Sequence, residues 1–210
     1  MPRPKTRTRI LVNSLVLFNE QGEPNTTTNE IADETDISPG NLHYHFPRKS
    51  EIVEALLAEF QADARSVLLP PTGDESAVED YWGFVHVLIE LLAAYRFLFR
   101  DTETLTAAHP KVSRAIRGFV NGLLAIFELH VVTLQEHGYI RVDEATLPML
   151  CRTLTIVVMF SERFDVIAGS ESAVEDIASQ TAGATIGILL PYAEGDAAGV
   201  LSGLLTHYQA

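Results

Sequence analysis

Ser38, Gly40, Asn41, His43, Tyr44, His45 and Lys49 crowd a single short stretch of the chain. Their chemistry is that of surface hydrogen bonding. An Asn amide pairs bidentately with the edge of adenine, Tyr, His and Ser reach phosphates or base edges, and a Lys ammonium is a point charge for a phosphate. Leu42 and Phe46 are interleaved one helical turn apart, so in a helix they share one face and leave the polar groups on the other. A solvated surface would look the same by composition. It has no need, however, for Gly40, which inside a helix costs about 1 kcal/mol against alanine and is useful where a helix must approach a phosphodiester backbone closely.

The flanking residues read as the elements that hold this stretch. Ser38-Pro39 is an N-cap followed by proline at the first helical position, and the helix is expected to run to about Phe46. Upstream, Thr27-Thr28-Asn29-Glu30 is a capping box that starts a short helix to about Thr35, whose N-terminal end and Thr28 hydroxyl offer a further phosphate contact. Ala32 supplies the small residue where two helices cross, and Ile37 the apolar residue of the turn, which together predict a helix-turn-helix. A preceding helix over 5–20 places Ile10, Leu11, Leu15 and Phe18 on one face and ends at Gly22. A fourth runs from Arg48 to Leu69, where Pro70-Pro71-Thr72-Gly73 breaks it and marks a candidate hinge. Further helices are expected over 76–99, from Asp101 to His109, from Pro110 to Gly138, from Asp143 to Gly169, and over 171–190 and 195–208. Pro148 is tolerable in the fourth of these spans only if the first turn is irregular or kinked. No convincing period-2 strand appears, so the fold class is all-α.

Composition narrows the function. The 210 residues are 47% apolar and 20% charged, which excludes disorder, and the single Cys151 excludes a disulfide scaffold or a cysteine-built metal cluster. Residues 1–50 carry six basic and six acidic side chains, so the whole formal charge of −13 lies after residue 50. Arg3, Lys5, Arg7 and Arg9 precede the first acid, Glu20, and Arg48-Lys49 closes the segment. A polyanion is therefore repelled by the bulk of the protein and tolerated at its N-terminal end. The longest charge-free stretch, Ile177 to Ala193, is interrupted by polar residues and Pro191, and the first residues do not read as a secretory signal. A cytoplasmic protein with no membrane partner is expected. There is no P-loop, Gly-x-Ser-x-Gly, His-Glu-x-x-His or Glu-x-x-His pattern, so neither an enzyme, a cofactor nor a metal site is expected.

The run Thr27-Thr28-Asn29-Glu30-Ile31-Ala32, followed by Ile37-Ser38-Pro39-Gly40-Asn41-Leu42-His43-Tyr44-His45-Phe46-Pro47-Arg48-Lys49, resembles the DNA-binding domain of the TetR family of bacterial transcriptional regulators. The Leu-x-Tyr-x-Phe-x-x-Lys spacing after the turn carries the likeness, and Tyr95 to Asp101 is similar to one subgroup of such repressors. The resemblance implies a helix-turn-helix DNA-binding domain over 1–50 and a helical effector-binding and dimerisation domain over 51–210, joined by a connector helix at about 48–69. It implies a homodimeric repressor that leaves double-stranded operator DNA when a small molecule binds. By position, DNA contact falls on Thr28, Ser38, Gly40, Asn41, Tyr44, His45 and Lys49, with His43 in place of a tyrosine often found there. Asp36 stands where the family's turn usually has a left-handed glycine, a conformation Asp tolerates better than most residues. An activator of the same fold and a helix-turn-helix used for protein contact are the alternative readings.

Beyond residue 70 the signals weaken. Trp82, His86, Phe119, Leu123, Phe127, His130, Cys151 and Met159 form a candidate pocket lining, mainly apolar with a few polar groups. Taken singly, each reads first as filling of a helical core, and Cys151, in an apolar run without a nearby base, reads as core. Glycines at four-residue spacing, Gly183/Gly187 and Gly195/Gly199/Gly203, permit close helix approach, and dimerisation is expected over about 145–190.

Overall fold

A computed structural model describes residues 5–72, 77–169, 174–195 and 197–208. Arg3, Gly73 and the expected helix starts at 76 and 171 lie outside them. The helices are α1 (Thr6–Gln21), α2 (Thr28–Thr35), α3 (Pro39–His45), α4 (Lys49–Val67), α5 (Ala77–Ala94), α6 (Arg96–Arg100), α7 (Thr102–Ala108), α8 (Pro110–Glu136), α9 (Leu147–Ala168), α10 (Val174–Leu189) and α11 (Ala197–His207), with one 3-10 turn at Leu190–Tyr192. Among the described residues the only β pairing is an isolated bridge between Ile140 and Ala193. The all-α class is therefore what the chain adopts.

Packing divides the chain into two units, each discontinuous in sequence: Met1–Ala64 with Ala94–Gly118, and Arg65–Ala93 with Phe119–Ala210. The motif-based boundary at 50/51 follows the end of the helix-turn-helix pattern. Packing instead adds most of α4, all of α6 and α7, and the start of α8 to the first unit.

In the first unit, Ile10, Leu11 and Phe18 of α1, Ile31 and Ala32 of α2, and Leu42 and Phe46 at α3 are buried together with Ile52, Leu56 and Phe60 of α4. Full burial of each large side chain contributes about 1.5–3 kcal/mol. The local signals act as read. The Thr27 hydroxyl accepts the Glu30 N–H while Glu30 accepts the Thr27 N–H, and Ser38 Oγ accepts the Asn41 N–H. Asp36 ends α2 in the left-handed region at φ 54°, ψ 54°. Gly22 ends α1 at φ 94°, and a Cβ there would also come within 3.1 Å of Asp101 Oδ2 and 3.2 Å of Arg100 Nη2.

Three expected elements differ. The helix expected over 76–99 is broken at Tyr95, because the Asn19 side chain takes over its bonding: Asn19 Nδ2 donates to the Ala94 carbonyl at 2.8 Å and Asn19 Oδ1 accepts the Phe97 N–H at 3.1 Å. Asp101 occupies the N-cap position of α7 without capping it, since its carboxylate accepts the Glu23 N–H instead. The start expected at Asp143 falls at Leu147. The Asp143 carboxylate accepts from the Ala145 and Thr146 N–H groups and the Thr146 hydroxyl, which closes a turn, and Pro148 then sits in the first turn of α9.

In the second unit, Tyr81, Phe84, Val85 and Leu88 of α5 are buried with Leu123, Phe127 and Val131 of α8, Leu150, Cys151 and Leu154 of α9, and Ile186 and Leu189 of α10. By length and composition α8 is the one helix among the described residues apolar enough to cross a membrane. Its apolar side chains from Val112 to Leu134 are largely enclosed by protein.

Two substitutions separate the local signals from packing. Thr27→Ala should lower the unfolding free energy by about 1 kcal/mol through loss of the cap. Asp36→Gly should leave it unchanged or raise it, because glycine adopts positive φ without steric cost. Urea unfolding followed by circular dichroism checks both.

Candidate functional site

Capping at both ends fixes α3 in a short stretch of chain. Ser38 starts it, Leu42 anchors its inner face at 2% exposure, and Phe46, whose N–H donates to the Leu42 carbonyl, closes it. The outer face is left to Gly40, Asn41, His43 and Tyr44, all exposed, with His45 half-buried beside the Tyr44 ring at 5.3 Å between centroids. Tyr44 is 83% exposed, the most of any large apolar-bodied side chain among the described residues. Thr28 is half-buried at the start of α2, and Ser38 is exposed. A Cβ added at Gly40 would meet nothing nearer than Ser38 Oγ at 4.0 Å, so the protein's own packing does not require the glycine.

The cations around this face are used differently from one another. Lys49 is not a free point charge. Its ammonium donates to the Glu23 carbonyl at 2.7 Å and the Thr26 carbonyl at 2.9 Å, and lies 3.1 Å from Glu23 Oε1. Three donors meet three acceptors, and the start of α4 is thereby tied to the α1–α2 loop. Arg7 lies over the Phe46 ring at 4.8 Å, and Arg9 donates to the Thr35 carbonyl. Arg48 pairs with Glu51 at 3.0 Å, and Lys5 is exposed.

Sequence reading missed the arrangement that seats α1 in this unit. Arg100 Nη2 donates to the Phe18 carbonyl at 2.8 Å, Arg100 Nη1 to the Asn19 carbonyl at 2.9 Å, and Arg96 Nε to the same Asn19 oxygen at 2.9 Å. These carbonyls belong to the last turn of α1, where cations are favoured, and the Phe18 oxygen also accepts the Gly22 N–H at 3.0 Å. The signal was present as two arginines four apart in Arg96–Arg100, but nothing in the sequence says which helix end they face.

The candidate pocket residues separate in the second unit. Phe119, Leu123, Phe127 and Cys151 are buried core, and burial pushes the Cys151 thiol up to about 11, which leaves it unreactive. Met159 is half-buried. Trp82 and His86 are engaged by Tyr208, a partner with no signal in the sequence. Trp82 Nε1 donates to the Tyr208 oxygen, the Tyr208 hydroxyl donates to His86 Nε2 at 2.9 Å, and His86 Nδ1 donates to the Trp82 carbonyl at 2.8 Å. His130 is the exception. It is 2% exposed, stacked on Phe84 at 4.6 Å and edge-on to Tyr81 at 5.9 Å, and neither ring nitrogen has a protein partner. A buried polar group left so costs about 1–3 kcal/mol.

With this geometry in view, the comparisons with known proteins are decisive. The family described as "Bacterial transcriptional repressor" (TetR) matches residues 59–198, and "Bacterial regulatory proteins, tetR family" matches residues 10–56. The chain belongs to the TetR family. Members of this family are transcriptional regulators and not enzymes. A TetR-family transcriptional regulator from Marinobacter aquaeolei VT8 superposes with a TM-score of 0.86 at 28% identity, covering 97% of this chain and 98% of the other. A γ-butyrolactone receptor (ArpA-like protein) shares the fold at a TM-score of 0.70 and 17% identity, over 97% and 96% of the two chains. The helix-turn-helix regulator TtgW of Pseudomonas putida is 33% identical over 75 residues, 36% of this chain and 56% of that one. YvkB of Bacillus subtilis is 35% identical over 69 residues, 33% of this chain and 36% of that one. The chain thus aligns with 56% of the length of one of these curated relatives and 36% of the other.

Two outcomes follow for this TetR-family chain. Gly40→Ala should raise thermal stability slightly, by up to about 1 kcal/mol, because the added methyl enters open space on a helix. The same change should weaken DNA binding, measured by gel shift. Burial holds the His130 imidazole down at about 4, against an ordinary 6.5, with Asp80 opposing. The unfolded chain then binds the extra proton between those values, and the stability that neutral His130 retains at pH 7 is lost as pH falls from 6.5 toward 4. His130→Phe should flatten that part of the curve of unfolding free energy against pH.

Proposed function

We propose that this chain is a homodimeric, cytoplasmic DNA-binding repressor that leaves its operator when a small molecule binds the second unit. The observation that carries the DNA-binding part is the outer face of α3. Asn41, His43 and Tyr44 project into solvent, Gly40 leaves room for close approach, and Leu42 is fixed beneath them. Asn41 is placed to read a base edge, while Thr28, Ser38, Tyr44 and His45 position the helix on phosphates or add further base contacts. Lys49 acts by fixing the start of α4 through Glu23 and Thr26. Its charge adds to the local field, together with Lys5, Arg7 and Arg9.

An uncovered apolar face supports the homodimer part of this reading. Ile156, Phe160, Phe164 and Ile167 recur at helical spacing along α9 and are 47%, 49%, 69% and 76% exposed. The first three line a 420 Å³ groove completed by Gln180, Thr181 and Ala184 of α10. A contiguous apolar surface of this kind marks an interaction site, and a second copy apposes it symmetrically. Two α3 helices then enter successive major grooves about 34–36 Å apart. α4, α5 and α8 each begin in one unit and end in the other, so an effector held in the second unit can alter that spacing.

Footprinting on the DNA flanking the protein's own gene, over a salt series, tests the reading. Protection of a two-fold site whose log affinity falls linearly with log salt supports it. Asn41→Ala should change the preference among operator variants by about 1–3 kcal/mol per contacted base pair. Phe164→Asp should convert a dimer of the 23.1 kDa chain into monomer in sedimentation velocity and remove two-fold protection. A wild-type monomer, or no protected site, defeats the proposal.

A further inference from the structure

We propose that the recess beside His130 is the effector site, and that it takes an uncharged, mainly apolar small molecule whose hydroxyl or carbonyl group meets the His130 ring. This rests on the effector-responsive reading above and names the site and ligand class within it. The recess has a volume of 210 Å³ and lies in the second unit, between the end of α4, the Pro70-Pro71 segment, α5 and α8. Val67, Leu69, Pro71 and Val87 give it apolar walls.

His130 brings to it the one deeply buried side chain of the lining with both ring nitrogens unmatched by the protein. A neutral imidazole offers one donor and one acceptor, the complement of a hydroxyl or, through its N–H, a carbonyl. Burial keeps the ring neutral down to about pH 4, so it supplies no positive charge for an acid. Among the described residues no Lys or Arg lines the recess, and the one carboxylate there, Asp80, would repel an anion. Asp80 Oδ2 already accepts the Thr72 N–H at 2.9 Å and the Thr72 hydroxyl at 2.6 Å, so a cation would have to compete with both. Size sets a further bound, because the recess is smaller than the roughly 300–1,000 Å³ of pockets for drug-sized ligands. Gly83 widens it: a Cβ there would meet nothing within 4 Å.

The test is calorimetric titration of the full chain at pH 7 with four probes on one skeleton: 2-naphthol, naphthalene, 2-naphthoate and 2-naphthylmethylammonium. The expected result is saturable binding of 2-naphthol at least tenfold tighter than that of naphthalene, with both ions weaker than 2-naphthol. His130→Phe keeps the stacking on Phe84 and should erase the preference of 2-naphthol over naphthalene. Gly83→Leu fills the recess from a helix position that favours leucine over glycine, and should abolish 2-naphthol binding with DNA binding intact. No saturable binding of 2-naphthol, an ion that binds as tightly, or 2-naphthol affinity unchanged in both variants overturns the proposal. DNA release, followed in the same samples, separates it from the broader reading. His130-dependent binding without release upholds the site and its ligand class but removes its effector role, whereas release that persists unchanged in both variants keeps an effector-responsive repressor and removes this site.

Discussion

Arg100 and Asn19 grip one another's helices across about eighty residues of chain. The guanidinium takes the carbonyls at the C-terminal end of α1, and the Asn19 amide takes the backbone groups freed where α5 gives way to α6. Each side supplies what the other's helix end lacks, so neither end is left with buried, unpaired polar groups. Phe18 packs on Phe97 at 5.4 Å beside this clasp, and Gly22 makes room for Asp101 and Arg100 where a side chain would collide. The consequence is that the helix-turn-helix is not an appendage of 50 residues. Its first helix is held by residues that the chain reaches only after passing through the other unit.

The cations of the first unit show how one charge serves two ends. Lys49, Arg7 and Arg9 are all committed to internal partners, a carbonyl pair with a carboxylate, an aromatic face and a helix-end carbonyl. Their hydrogen-bonding capacity goes largely into positioning, while their charge still shapes the field near α3 against the anionic remainder of the molecule. The groups that face outward on α3 are instead an amide, aromatic and imidazole rings and a glycine, a combination suited to discrimination more than to simple attraction.

The second unit treats its polar side chains unequally. Trp82, His86 and Tyr208 satisfy one another in a closed circuit that pins the end of the chain to α5, with the Tyr208 Cβ at 3.0 Å from where a Cβ of Gly183 would stand. His130, one turn of helix beyond Phe127, has no such circuit. One histidine is thus matched fully while another is left with both ring nitrogens unmatched next to a recess.

Much of this was written in local sequence. The capping box at Thr27, the Ser38-Pro39 start, the α1 stop at Gly22 and the all-α class need only nearest-neighbour chemistry, because caps and turns are decided within four residues. The outward set on α3 follows from the period of Leu42 and Phe46 alone. What the sequence could not settle was every matter of partner. The break at Tyr95 has no glycine or proline to announce it, since it is made by Asn19 from another helix. Whether Lys49 faces a phosphate or Glu23, and which of Trp82, His86 and His130 is left unmatched, depends on groups brought together from distant positions. Periodicity says which face of a helix turns inward, and only tertiary packing says what it meets there.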